Sequence, residues 1–442
     1  MAASLARGCA RAGGRSVRGV HGARVLPSGP LDGFRVLELG QLIAGPFCGT
    51  VLGYFGATVI KIEPLGGDPI RTWRELDVDG TSPWFRSVGR NKRSVALNLK
   101  SERARELVRQ LAVDSDVLIE NFKPGTMEKW GLGPDELKKA NPGLVYTRIS
   151  GYGQTGPLAS KPGFASACEA FGGFRHVNGF ADRPSVRPNL SMGDTLAGLH
   201  AALGATLALL GRERGRAAGG GRGMGDVVDV AIYEAVFNLM EGVVPEYDRK
   251  RVIRQPSGSS LTGIAPTNTY LCSDGKHVVV GGNGDSIFKR LMTAIGRPEL
   301  GDDPRMADNL GRVTHSGELD QAIGAWTAKT PSRDVQAVLD AAGVPCGQIY
   351  SVEDMFNDDH YKAREMFERV RVPVRNRGTG ATFPRGCRDR DAGSNSSQSV
   401  TRTLTCIRPY RACPTCVDAS SHPRPHFPHV LRLTCHLTGA WR

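Results

Sequence analysis

The stretch LSMGDTLAGLHAALGATLALLGRE, residues 190–213, sets one carboxylate, Asp194, at the head of a long uncharged run. A carboxylate there can do two things. It can cap a helix by accepting backbone N–H groups. It can also attack a carbonyl carbon and carry the acyl group as a covalent intermediate. Gly193 leaves space beside it, and the amides of the following helix can polarise a developing oxyanion. On spacing alone the cap is the commoner role for such an Asp.

Two further clusters suit an anionic ligand with a flat ring. GRNKRS, residues 89–94, brings Arg90, Lys92 and Arg93 together. ENFKPG, residues 120–125, supplies an amide, an aromatic ring and a cation at the end of an apolar run. Each alone reads as a solvated surface feature. Placed on loops after successive parallel strands, they suit phosphates and a base. The turn GQLIAGP, residues 40–46, is neither a GxGxxG fingerprint nor a phosphate-binding loop ending in Lys-Ser/Thr. For metal there is one CxxC half-site, Cys413 to Cys416, with His422, His426 and His429 nearby but no second pair at clean spacing. No metal site is expected.

These residues need elements to hold them. GFRVLELGQLIAGPFCGTVLGYFGATVIKIEP, residues 33–64, reads as strand, helix with Pro46 at its start, and strand: a βαβ crossover, hence a parallel sheet. Apolar strand runs recur at 94–99, 116–121 and 143–150, alternating with helical segments, which predicts an α/β fold with helices on both faces. Asp194 opens a predicted helix of about 18 residues by its apolar extent. RERGRAAGGGRGMGD, 212–226, reads as a flexible linker. From about Thr267 a smaller mixed unit begins, with two strands around Asp274–Gly275, a helical stretch over 285–329 and a further helix at 332–343. The expected organisation is therefore a large α/β domain over 33–225, a linker and small α+β domain over 226–340, a return to the large domain over 341–384, and an atypical, disordered tail over 385–442.

The charge is concentrated at the ends. Residues 1–30 hold five Arg and no acid, and 385–442 hold nine Arg against three Asp. Of the net +13, that leaves +2 for 31–384, so the middle of the chain gives no nucleic-acid signal. Arg7, Arg11, Arg15 and Arg18 fall on one helical face in an acid-free, Ser-containing segment. That composition predicts a mitochondrial transit peptide over 1–32 and a matrix location. No membrane span is expected, because the run after Asp194 is rich in Ala and Gly rather than strongly apolar. Cys48, Cys168, Cys272 and Cys346 read as small buried residues of a reducing compartment.

Taken in order, VLELGQLIAGPFCGTVLGYFGATVIKIEP, GRNKRSVALNLK, ENFKPG, ISGYGQTGP, SMGDTLAGLHAALGATLAL and VDVAIYEA resemble the class III CoA-transferases of the CaiB/BaiF type, from about Gly33 to Pro384. The resemblance implies a Rossmann-like large domain, a small domain and a homodimer of two interlocked rings. It implies that Asp194 is the nucleophile, and that Gly281, Gly282, Asn283 and Gly284 form a glycine loop over the active site. Ala44, Asn121, Phe122 and Lys129 match positions at or near the CoA contacts, and Trp84 and Tyr152 match positions lining the acid pocket. CoA and acyl-CoA enter as substrates, with no permanent cofactor. Within the family the similarity is to members that move CoA from succinyl-CoA to glutarate in mitochondria. A dicarboxylate needs a cation for its far end, for which Arg71, Arg74, Arg175, Arg183, Arg187 and His176 are candidates. Ala165 follows the Pro162-Gly163-Phe164 triplet, where the family usually has Asp. Two other functions remain open: a racemase acting α to an acyl-CoA carbonyl, and a CoA-binding chain impaired by its altered C-terminal segment.

Overall fold

The structure is a computed structural model and describes residues 29–218, 223–374 and 400–407. Its centre is a six-stranded, wholly parallel sheet: β1 (Arg35–Glu38), β2 (Thr58–Glu63), β3 (Lys92–Ala96), β4 (Val117–Glu120), β5 (Val145–Ser150) and β6 (Val227–Ala231), in the order β3-β2-β1-β4-β5-β6. The order reverses between β1 and β4, and a crevice at such a reversal, outside the strands' carboxyl ends, is where α/β sheets bind ligands. β4 and β5 are buried at every position, as strands covered on both faces must be.

Because β6 completes this sheet, the large unit extends beyond residue 225, and the expected boundary there is corrected. The expected linker at 212–226 is also corrected. The helix containing Asp194 runs Met192–Ala217, and Arg212, in its last turns, is buried against the Gly143 carbonyl (2.9 Å) and Asp116 (2.8 Å). A charged residue read as linker is thus a strut tying the helix to the sheet.

That helix explains its apolar run. Small residues face inward: Gly193, Ala197, Gly198, Ala201, Ala202, Gly204, Ala205 and Ala208 are all buried. Their size permits a close crossing with the Ala44–Tyr54 helix, where a Cβ on Gly198 would sit 2.7 Å from the Ala44 carbonyl oxygen. Among the described residues this is the one helix long and apolar enough to cross a membrane, and half of its most apolar window is buried inside the protein.

A second, antiparallel sheet joins β7 (Thr267–Leu271), β8 (His277–Gly281) and β9 (Cys346–Gln348). Its own core includes Phe288, Leu291, Met292, Leu319, Ile323 and Leu339. β9 places Cys346–Gln348 in this smaller sheet, so the expected return to the large domain at 341 is corrected. The stretch read as one helical run over 285–329 is several helices, Asp285–Ala294, Asn309–Thr314 and Ser316–Thr327 among them.

The expectation of disorder throughout 385–442 is corrected at one place. Val400–Ile407 forms β11, antiparallel to β10 (Phe367–Val374), and lies against the Pro83–Gly89 helix. The Arg-rich segment through residue 28 and the Cys413–Cys416 pair lie outside the described residues. Of the four cysteines above, Cys48, Cys168 and Cys272 are buried, Cys346 is partly buried, and all are free thiols.

Candidate active site

Asp194 is the third residue of its helix and not the cap; Ser191 holds that position and makes no side-chain capping bond. Among the described residues the Asp194 carboxylate accepts no hydrogen bond, so the capping role considered from sequence is corrected. What surrounds it instead is unfavourable to an anion. Burial, and then the Glu169 carboxylate, push Asp194 up to about 6 from an ordinary 3.8, while Arg187 pulls the other way. A carboxylate short of solvation and of hydrogen bonds is a stronger nucleophile than one in water.

Glu169 went unnoticed in the sequence. It lies in the Ala165–Phe171 helix, is 0% exposed, and its Oε1 accepts the Gly193 N–H at 3.1 Å. Among the described residues its Oε2 has no hydrogen-bond partner, and it lies 3.9 Å from Arg187 Nε. Gly193 is needed for this approach: a Cβ would come 3.2 Å from Glu169 Cγ and from Ile232 Cγ2. The glycine thus lets Glu169 approach the backbone of the Asp194 helix. The available signal was an acid inside the otherwise uncharged ASACEAF.

The turn entering the Ala44–Tyr54 helix is held by a buried charge network. Lys61 donates to Glu38 (2.9 Å) and to the Gly40 carbonyl (2.7 Å), and pairs with Asp68 (2.9 Å). Asp68 in turn accepts the Leu42 N–H at 3.2 Å through both oxygens, fixing Leu42 at φ 63°. A leucine in that left-handed region is strained and persists only where its surroundings over-determine it. Asn121 completes the clamp, accepting from Gln41 N and donating to Gln41 O. Pro46 is the third residue of this helix rather than the first, still within the turn whose N–H groups have no helical partner.

The sequence candidates divide accordingly. Asn121 bonds Gln41 just before this helix start, and Ala44, the first residue of the helix, lies against the Asp194 helix at Gly198. Trp84 joins them through the Ile43–Ile70–Val88 cluster, with Arg74 stacked 3.9 Å over its ring. Tyr152 is buried beside Phe171 and Tyr233 in the core that contains Cys168 and Ala197. Phe122 packs edge-on against Trp130, and Lys129 is exposed. Lys92 is unavailable to a ligand: its side chain is buried 2.8 Å from Glu38. Arg71 is committed to Glu63 through two bonds of 2.6 and 2.8 Å.

Gly281, Gly282, Asn283 and Gly284 connect β8 to the Asp285–Ala294 helix. Gly281 N bonds Pro345 O, Gly282 N bonds Pro266 O (both 2.9 Å), and Asn283 O accepts from the buried Arg312 at 2.9 Å. Among the described residues none of these bonds reaches Asp194. No group of three metal-ligating side chains occurs among the described residues.

The sequence matches CoA-transferase family III over residues 31–392. The chain belongs to CoA-transferase family III. It is 47% identical to the succinyl-CoA–D-citramalate CoA-transferase of Chloroflexus aurantiacus over 78% of this chain and 85% of that one. It is 33% identical to the succinyl-CoA:glutarate CoA-transferase of Mus musculus over 78% of this chain and 80% of that one. The crystal structure of a CAIB/BAIF family protein from Brucella suis superposes with a TM-score of 0.68 at 32% identity, covering 84% of this chain and 96% of that one. The family III chain is thus a CoA-transferase, moving CoA between a thioester and a free acid.

Proposed function

We propose that this transferase takes CoA from succinyl-CoA and passes it to a five-carbon dicarboxylic acid, through Asp194. The observation that carries the role of Asp194 is its position: a desolvated carboxylate with no hydrogen bond among the described residues, one turn before the crossing with the Ala44–Tyr54 helix. The donor and acceptor rest on the relatives, whose names give succinyl-CoA with D-citramalate and with glutarate. Both acceptors are five-carbon dicarboxylates, and glutarate is the one expected from sequence.

The steps follow from the carboxylate. An Asp194 oxygen attacks the thioester carbonyl carbon, the C–S bond breaks, and CoA leaves as thiolate from a mixed anhydride. The thiolate attacks the aspartyl carbonyl carbon, expelling the first acid as its carboxylate and leaving an aspartyl–CoA thioester. The acceptor carboxylate attacks that thioester, and the same two exchanges run in reverse. Water must be kept out, because the anhydride hydrolyses. Trp84, Tyr152 and the 281–284 loop are assigned to the acid side of this site, and Ala44, Asn121, Phe122 and Lys129 to the CoA side.

The protein is proposed to act as a homodimer in the mitochondrial matrix. Leu199, Leu203, Leu207 and Leu210 are exposed at helical spacing on the outer face of the Asp194 helix, which supports a partner subunit there. The Arg-rich start supports import.

The test is to incubate the full chain with succinyl-CoA and glutarate, D-citramalate, malate or oxalate, reading products by mass spectrometry. Transfer is expected to the five-carbon acids, with hydroxylamine trapping an adduct on Asp194 alone. Racemisation without exchange, or CoA retention without turnover, would sink the proposal.

A further inference from the structure

Glu169 is a fully buried carboxylate with one oxygen on the Gly193 amide and the other, among the described residues, without a hydrogen bond. Nothing about holding a helix requires a charge here, since a neutral amide could accept the same N–H. A buried carboxylate held by one backbone N–H and a single cation at 3.9 Å is costly, and such costs are retained mainly at functional sites.

We propose that Glu169 is the positioning residue that keeps Asp194 reactive: a fixed anion, linked to the nucleophile's neighbour through one backbone bond, that disfavours free aspartate and favours its uncharged acylated forms. This rests on Asp194 being the nucleophile. When Asp194 attacks, its O–C bond forms, the C–S bond breaks, and its negative charge leaves with the CoA thiolate. When the thiolate attacks the anhydride, the charge departs on the released carboxylate. Both covalent forms of Asp194 are neutral, so a neighbouring fixed anion favours them over the free enzyme. Arg187, 3.9 Å from Glu169 Oε2 and exposed on its other side, moderates that repulsion.

The other charged or titratable groups named on the elements packed against the Ala165–Phe171 helix, or just before it, have other partners or face solvent. Glu234 accepts from Tyr233 at 3.1 Å, and His200 bonds Leu196 O and Asn238. Arg175 donates to Ser185 O, Lys161 lies over the Tyr152 ring, and His176 is exposed. Burial raises the Cys168 thiol to about 11.

The test uses the full chain carrying Glu169→Gln, which keeps an acceptor for Gly193 N–H and removes the charge. The nucleophile works ionised, so kcat/KM rises with pH through the Asp194 titration, at about 6 in the parent. In the Gln variant this acid limb is expected to move down by about one pH unit, and the fraction of trapped acyl-Asp194 at saturating succinyl-CoA to fall about tenfold. Arg187→Gln, an exposed change that spares folding, is expected to move the limb upward. A limb left in place in both variants, with turnover lowered uniformly or not at all, would overturn the proposal and leave Glu169 as packing. Should Asp194→Asn retain turnover without any adduct, the failure would lie in the nucleophile assignment instead.

Discussion

Replacing Asp194 with Asn should stabilise the fold while abolishing transfer. The carboxylate titrates at about 6 in the folded protein against an ordinary 3.8. The folded state therefore holds the proton more tightly than the unfolded state, and each ionised Asp194 is a cost to folding. The sign follows from linkage: the cost is absent below the unfolded value, grows as pH rises through the interval from 3.8 to about 6, and is constant above it. A gap of about two pH units corresponds to about 3 kcal/mol at pH 8, falling to roughly 0.6 kcal/mol at pH 4. An Asn amide carries no charge to desolvate, and no capping bond is lost with the carboxylate. Thermal unfolding of parent and Asp194→Asn chains at pH 8 and pH 4 measures this. The variant's midpoint should be higher by roughly 5 °C at pH 8 and nearly the same at pH 4. Transfer from succinyl-CoA should fall by orders of magnitude, since no anhydride forms. A variant less stable than the parent at pH 8, or one whose difference ignores pH, would refute the reasoning and return Asp194 to a structural role.

Arg312 is 1% exposed and donates to the carbonyls of Ala265, Met306 and Asn283, so Arg312→Met should destabilise the smaller unit by about 3 kcal/mol in urea unfolding. Gly282→Ala would put a Cβ 2.5 Å from Leu291 Cδ2; overpacking should cost about 1–3 kcal/mol in the same assay and disturb the 281–284 loop. Residues 1–32 fused to a reporter should direct it to mitochondria and be cleaved; a diffuse, unprocessed reporter would argue against targeting.

The large sheet was legible because its strands are short apolar runs punctuated by glycine, proline and charged helices. Periodicity of that kind reports burial on both faces, and the parallel order followed from the crossover at 33–64. It failed where local composition opposed tertiary context. Arg212–Ala217 is Arg- and Gly-rich and reads as linker, but Arg212 finds Asp116 and the Gly143 carbonyl far away in sequence. Val400–Ile407 has little apolar character beyond Val400, Leu404 and Ile407, yet pairs along its full length with Phe367–Val374. The segment that forms β6 was placed with the smaller unit, because local pattern carries no information about which sheet a strand joins.

The site shows the same division. Asp194 stood out because a lone acid before an apolar helix is conspicuous. Its chemistry was not legible, because that depends on groups brought from elsewhere in the chain. Lys61, Glu38 and Asp68 sit at alternating or loop positions where charges normally face water, and only the fold turns them inward to hold Leu42. Lys92 illustrates the converse error: a cation in a basic run invites a phosphate, but Glu38 has already claimed it. Glu169 completes the argument. An acid and a glycine 24 residues apart meet through one backbone hydrogen bond, and the residue after that glycine is Asp194. No spacing rule connects them. The environment of this carboxylate therefore belongs to the packing of two helices, Ala165–Phe171 against Met192–Ala217, and not to the motif in which it is found.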